Sequence, residues 1–220
     1  SSAASDVYKR QYVDYVDRTS PSGLTSWGRG DWVPVKSHSS KELTSSVYFY
    51  VDTKILANAA KLFNKQEDYE HYQALAEKIR QAINDKYLNR ETGIYASGVQ
   101  TELSVPLMWG IVPKDMKAKV ARNLAKKVQE AGFHLDVGVL GAKAILNALS
   151  ENGEAETAYK VAAQDTYPSW GCWIANGATT LLENWDLNAT RDISDNHMMF
   201  GEIGGWFYKG LGGIFPDPVS

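Results

Sequence analysis

The sequence predicts an all-α protein of about eight helices, and three observations carry that expectation. Apolar residues recur at spacings of three and four over long stretches. Gly and Asn residues that suit helix ends fall between those stretches. Only one short segment, Ile94-Tyr95-Ala96, reads as a strand. At 220 residues, 44% hydrophobic and 22% charged, the composition is ordinary for a globular domain with a substantial core.

The elements follow in order. Residues 1–11 read like a translated adapter tail more than native protein, and the predicted fold begins at residue 12. Residues 12–17 make a short amphipathic helix that reads as the continuation of something upstream. Turn residues at 18–23 lead to a Gly-rich loop, Trp27-Gly28-Arg29-Gly30-Asp31-Trp32. Over 42–63 the apolar positions Val47, Val51, Ile55, Leu56, Ala59 and Leu62 form one helical face. After a break at 64–68, Tyr72, Leu75, Ala76, Ile79, Ile83 and Tyr87 repeat the pattern, which predicts an antiparallel helical hairpin.

Residues 100–109 read as a short apolar helix, and Pro113 as the first turn of another that Gly132 closes. Further helices are expected over 138–149, 154–164, 173–182 and 197–210. Long amphipathic helices alternating with shorter apolar ones suit a double-layered helical barrel. No repeat of fixed period is visible.

Composition narrows function. The net charge is −3 and Lys and Arg are scattered, so nucleic acid is not an expected partner. One cysteine, Cys172, excludes an internal disulfide and a CxxC site, and four histidines show no metal-ligand spacing. No metal and no cofactor is expected. No apolar run is long enough to span a membrane, and any export signal would have to lie upstream. Seven Trp and twelve Tyr, several beside Gly, Asp or Asn, suit sugar rings, whose C–H faces stack while their hydroxyls take hydrogen bonds.

The densest cluster runs from Thr166 to Asp186, with Trp170, Trp173, Glu183 and Trp185. Two readings stand side by side: Glu183 as a reactive carboxylate, or Glu183 in water with Trp170 and Trp173 as core anchors. Further on, Ser194 or Asp195 is placed to cap a helix whose first turn holds His197, either at a rim or packed.

Taken together, Gly30-Asp31-Trp32, Tyr167-Pro168-Ser169-Trp170-Gly171, Gly177-Ala178-Thr179-Thr180, Glu183-Asn184-Trp185 and Asn196-His197 resemble, in this order, the α-L-rhamnosidases of glycoside hydrolase family 78. The resemblance covers residues 12–216 and implies the C-terminal part of an (α/α)6 barrel, a six-hairpin glycosidase fold, incomplete here, with 217–220 opening a downstream segment. It implies inverting hydrolysis that removes terminal rhamnose from plant or bacterial glycans. Glu183 falls on the general-base position, His197 on a sugar-contact position, and Asp31, Trp32 and Trp170 on further substrate contacts.

The family's general-acid segment has no counterpart in this sequence. That implies a missing N-terminal half of the catalytic domain as partner and a chain inactive alone. The substrate class implied is a rhamnose-containing oligosaccharide or glycoside, and a periplasmic or extracellular place suits the full-length bacterial protein. The alternatives are another inverting (α/α)6 glycosidase, or a non-catalytic helical module that binds glycans or proteins.

Overall fold

The computed structural model describes the backbone of residues 2–215 and the side chains of residues 10–215. The chain divides into two compact units: the residues up to Gly30 with Ser40–Leu88, and Asp31–Ser39 with the residues from Asn89 onward.

In the first unit, α1 (Ser2–Thr19) runs unbroken through the tail-like segment and the amphipathic piece expected after it. Val13 and Val16, three apart, are buried. The Arg10 guanidinium donates twice to Asp68, at 3.2 and 2.6 Å, and the Tyr72 hydroxyl donates to Asp14 at 2.9 Å. Burial, with that carboxylate beside it, pushes the Tyr72 phenol up to about 12.

The hairpin of α2 (Lys41–Leu62) and α3 (Gln66–Tyr87) forms as the periodicity predicts. The Ser40 hydroxyl accepts from the Leu43 N–H at 3.2 Å and so starts α2. On α3, Tyr72, Leu75, Ala76, Ile79 and Ile83 are all buried. On α2 the buried surface is wider than one stripe, because Leu43 through Val47 are buried consecutively, while Ile55 and Leu62 stay 48% and 77% exposed. The reason is a crossing loop. Ser46 Oγ accepts from the Thr25 N–H at 2.9 Å, and a Cβ at Gly28 would lie 2.6 Å from Ser45 Oγ. Small hydroxyl residues are buried there by backbone, which a count of apolar positions does not register.

A two-stranded ribbon of β1 (Leu88–Asn89) and β2 (Ile94–Tyr95) precedes α4 (Gln100–Met108), the first helix of the second unit, whose residues 100–107 are all buried. The Glu102 carboxylate accepts from the N–H of Ser97 and Gly98 and the Ser97 hydroxyl, at 2.8–3.0 Å, and so holds the turn before α4. Helix α4 packs on α5 (Lys117–Glu130) and α6 (Val139–Ser150), and α6 packs on α7 (Ala155–Ala162). Pro113 lies in a preceding turn, its carbonyl accepting from Met116 at 2.9 Å, so α5 starts four residues later than expected.

The two last expected helices are corrected. Instead of a helix over 173–182 there is one six-residue helix, α8 (Trp170–Ala175). Asn176 caps it by donating its amide to the Cys172 carbonyl at 2.8 Å, and Gly177 takes a φ of 89°. Instead of one helix over 197–210 there is a 3₁₀ turn (Met198–Phe200), a short α9 (Glu202–Trp206) and a π turn (Phe207–Leu211). His197 precedes the 3₁₀ turn, and neither Ser194 nor Asp195 caps it. A Cβ at Gly210 would meet Trp206 Nε1 at 2.1 Å, so the indole occupies the space a regular side chain would need. Among the described residues there are nine α-helices, and none is long and apolar enough to cross a membrane.

Candidate active site

The site is built on an aromatic platform. Ser169 caps α8 by accepting from the Cys172 N–H at 3.0 Å, which sets Trp170 and Trp173 facing inward from one short helix. Trp185 arrives from the following loop and stacks on Trp173 with ring centres 4.7 Å apart and planes 20° from parallel. Phe200 meets Trp185 edge-on at 4.6 Å and Trp173 at 5.6 Å, while Trp170 meets Trp185 at 5.3 Å. Each such pair adds about 0.5–1.5 kcal/mol to the area it buries. Every indole N–H in the platform has an acceptor: Trp170 donates to Phe200 O at 3.1 Å, Trp173 to Trp185 O at 3.4 Å, and Trp185 to Val137 O at 2.8 Å.

Two loop strands rise from this platform and pair antiparallel. The Glu183 N–H donates to Ser194 O at 2.9 Å and the His197 N–H to Leu181 O at 2.8 Å. The Thr180 hydroxyl adds a bond to the Asp195 carbonyl. This pairing brings the Glu183 carboxylate and the His197 imidazole together, Oε1 to Nε2 at 3.9 Å, with 18% and 26% of the side chains exposed. The Ser194 N–H donates to Oε2 at 3.2 Å, so one carboxylate oxygen is tethered and the other faces the imidazole across a gap too long for a direct hydrogen bond. His197 Nδ1 is buried with no hydrogen-bond partner.

Beside them lies a concave pocket of about 280 Å³, lined among others by Glu183, Asn184, Asp186, Ile193, Ser194 and Asp195. Three carboxylates and an amide on one rim favour a neutral ligand rich in hydroxyl donors. Among the described residues no three His, Cys, Asp or Glu side chains are grouped so as to hold a metal ion.

Of the residues singled out in the sequence, Glu183 lines this pocket and Asp31, Trp32, Trp170 and His197 do not. Trp170 is 5% exposed and forms part of the platform. Trp32 is 37% exposed, and its carbonyl accepts from the Val139 N–H at 2.9 Å. Asp31 is buried against the start of α6, accepting from Thr101 Oγ1 at 2.5 Å and from the N–H of Gly138, Leu140 and Gly141 at 2.8, 2.7 and 3.1 Å. Burial pushes its carboxyl up, against the lowering by those four donors. Trp185, the hub of the platform, was not singled out in the sequence as a site residue; its place two positions after Glu183 is the signal that points to it.

Residues 3–211 match the model of the bacterial α-L-rhamnosidase 6 hairpin glycosidase domain. An α-L-rhamnosidase of Formosa agariphila is 30% identical over 188 residues, which are 82% of this chain and 20% of that protein. One of Streptomyces avermitilis is 30% identical over 196 residues, 86% of this chain and 19% of that protein. Among solved structures, an α-L-rhamnosidase from Dictyoglumus thermophilum superposes with a TM-score of 0.84 at 38% identity, covering 91% of this chain and 24% of the other. The Streptomyces avermitilis α-L-rhamnosidase complexed with L-rhamnose superposes at 0.89 with 27% identity, covering 97% and 21%. The chain thus spans about a fifth of the length of the curated relatives it matches.

Proposed function

Because the chain belongs to the bacterial α-L-rhamnosidase six-hairpin glycosidase domain family, we propose that it supplies the general-base half of an inverting α-L-rhamnosidase site, with Glu183 as the base. The observation that carries this reading is the asymmetric tether of the Glu183 carboxylate. Ser194 N–H holds Oε2, Oε1 lies 3.9 Å from His197 Nε2, and Glu183 lines the pocket. Oε1 takes a proton from water, and the water oxygen attacks the anomeric carbon as the glycosidic C–O bond breaks. A second carboxylic acid, contributed from outside these 220 residues, protonates the departing oxygen. Such pairs stand roughly 6.5–9.5 Å apart, which leaves room for the water.

His197 is assigned to the sugar. Its Nε2 lies 3.9 Å from Oε1, a gap that a bound hydroxyl or water bridges. Trp32, part-exposed beside the start of α6, is the remaining candidate for stacking on a ring face. Rhamnose-bearing oligosaccharides or glycosides are the proposed substrates.

A panel of nitrophenyl α-L-rhamnoside, α-glucoside and α-fucoside with the full-length protein tests the reading, with NMR of the first-formed sugar reporting its anomeric configuration. Rhamnoside turnover with inverted product is expected. Preference for another glycoside, or retention of configuration, contradicts it. The isolated chain, without the acid, is expected to fall short of the full-length rate by about 10²-fold or more.

A further inference from the structure

We propose that Asp31 is a positioning residue that sets the Glu183–His197 loops from a distance, through the first turn of α6 and the Trp185 indole. The carboxylate is buried and both oxygens are engaged, Oδ2 by the Thr101 hydroxyl and the Gly138 N–H, Oδ1 by the N–H of Leu140 and Gly141. Those N–H groups belong to the first turn of α6, where a helix has no internal acceptors and where negative charge is favourable. Gly138, at the cap position, has no side chain to serve them, so a carboxylate from far along the chain does.

The next contact has little slack. The Val139 N–H donates to Trp32 O at 2.9 Å, and a Cβ at Gly138 would lie 2.1 Å from that same oxygen. Backbone therefore lies on backbone there, and a shift of residues 31–32 moves Gly138. Val137, the residue before it, is fully buried, and its carbonyl accepts the Trp185 indole N–H at 2.8 Å. Trp185 follows Glu183 by two residues, and its ring partner Phe200 follows His197 by three. One platform thus carries both side chains of the candidate site, and the hydrogen bond from Trp185 to Val137 leads back, through Gly138, to Asp31. Direct contact of Asp31 with a sugar would require its release from four donors.

The coupling acquires its functional meaning from the reading of Glu183 as the base, but it is read without any hydrolysis. In the 220-residue chain, Asp31→Asn keeps the shape and replaces one acceptor oxygen with an NH2 donor, which cannot accept from the N–H groups on its side, Gly138 or else Leu140 and Gly141. By ¹⁵N NMR we expect hydrogen exchange of the Trp185 indole to rise about tenfold or more and the His197 ring resonances to move. Glu102→Gln is the matched comparison, because it alters a buried carboxylate that holds the 97–98 turn. It should lower stability while leaving the Trp185 and His197 signals in place. If Asp31→Asn does not fold, Thr101→Val removes one donor and should shift the same signals in the same direction by less. Unchanged signals in the Asp31 or Thr101 variant, or equal changes in Glu102→Gln, overturn the proposal.

Discussion

The α2–α3 hairpin and the segment 166–211 are each held by a different kind of bond. In the hairpin, two 22-residue helices joined by three residues bury aliphatic side chains turn after turn, so no single contact is decisive. In the segment, helices are five or six residues long, too short to persist on their own. Four rings, their indole N–H bonds and two crossed backbone bonds hold it instead. Repetition makes a scaffold; a few large, directional contacts fix a carboxylate and an imidazole at a set distance.

The largest effect that tests this contrast is loss of one platform ring. Trp185→Ala should destabilise the chain by about 3–5 kcal/mol, measured by urea unfolding, and should broaden the Glu183 and His197 signals ahead of those from α2 and α3. Uniform loss across both regions would break the distinction. A single contact in the hairpin should matter less: Ser40→Ala, which deletes the hydroxyl that starts α2, is expected to cost about 1 kcal/mol. An effect as large as that of Trp185→Ala would mean the hairpin too hangs on one contact.

The smallest effect sharpens the comparison inside the second unit. Asp136 accepts from the N–H of Lys36 and Ser37 and from the Ser37 hydroxyl, at 2.9, 3.0 and 2.6 Å. Burial raises its carboxyl, but those bonds outweigh it and hold it below the usual aspartate value. A carboxylate depressed in the folded state stabilises above its unfolded pKa, and that contribution is lost as pH falls through the folded value. The protection of the Lys36 and Ser37 amides, taken relative to intrinsic exchange at each pH, should therefore fall in acid, below about pH 3.9, and Asp136→Asn should remove that fall. Asp31 is shifted the other way, so it adds nothing to the acid loss.

The same contrast explains how far the sequence could be read. Tyr72, Leu75, Ile79 and Ile83 announce α3 because a helix with one wet face must repeat apolar residues every three or four positions. The all-α six-hairpin class was legible from such repeats together with the motif order, and the family match bears it out. The end of α8 and the breaks after His197 were not legible as periodicity, because Asn176, Gly177 and Gly210 act through caps and close approaches. Glu183 and His197 were visible as residue types, yet their meeting depends on pairing across 181–197 that no spacing rule predicts. Asp31 stood out as a motif residue; its inward orientation toward α6 became clear only from its hydrogen bonds.

Glu183→Gln in the full-length protein tests the assignment of the base most directly. Rhamnoside hydrolysis should fall by about 10²- to 10⁴-fold, with L-rhamnose binding by calorimetry nearly unchanged. Hydrolysis at the parent rate, or loss of binding and hydrolysis together, would contradict its assignment as the base.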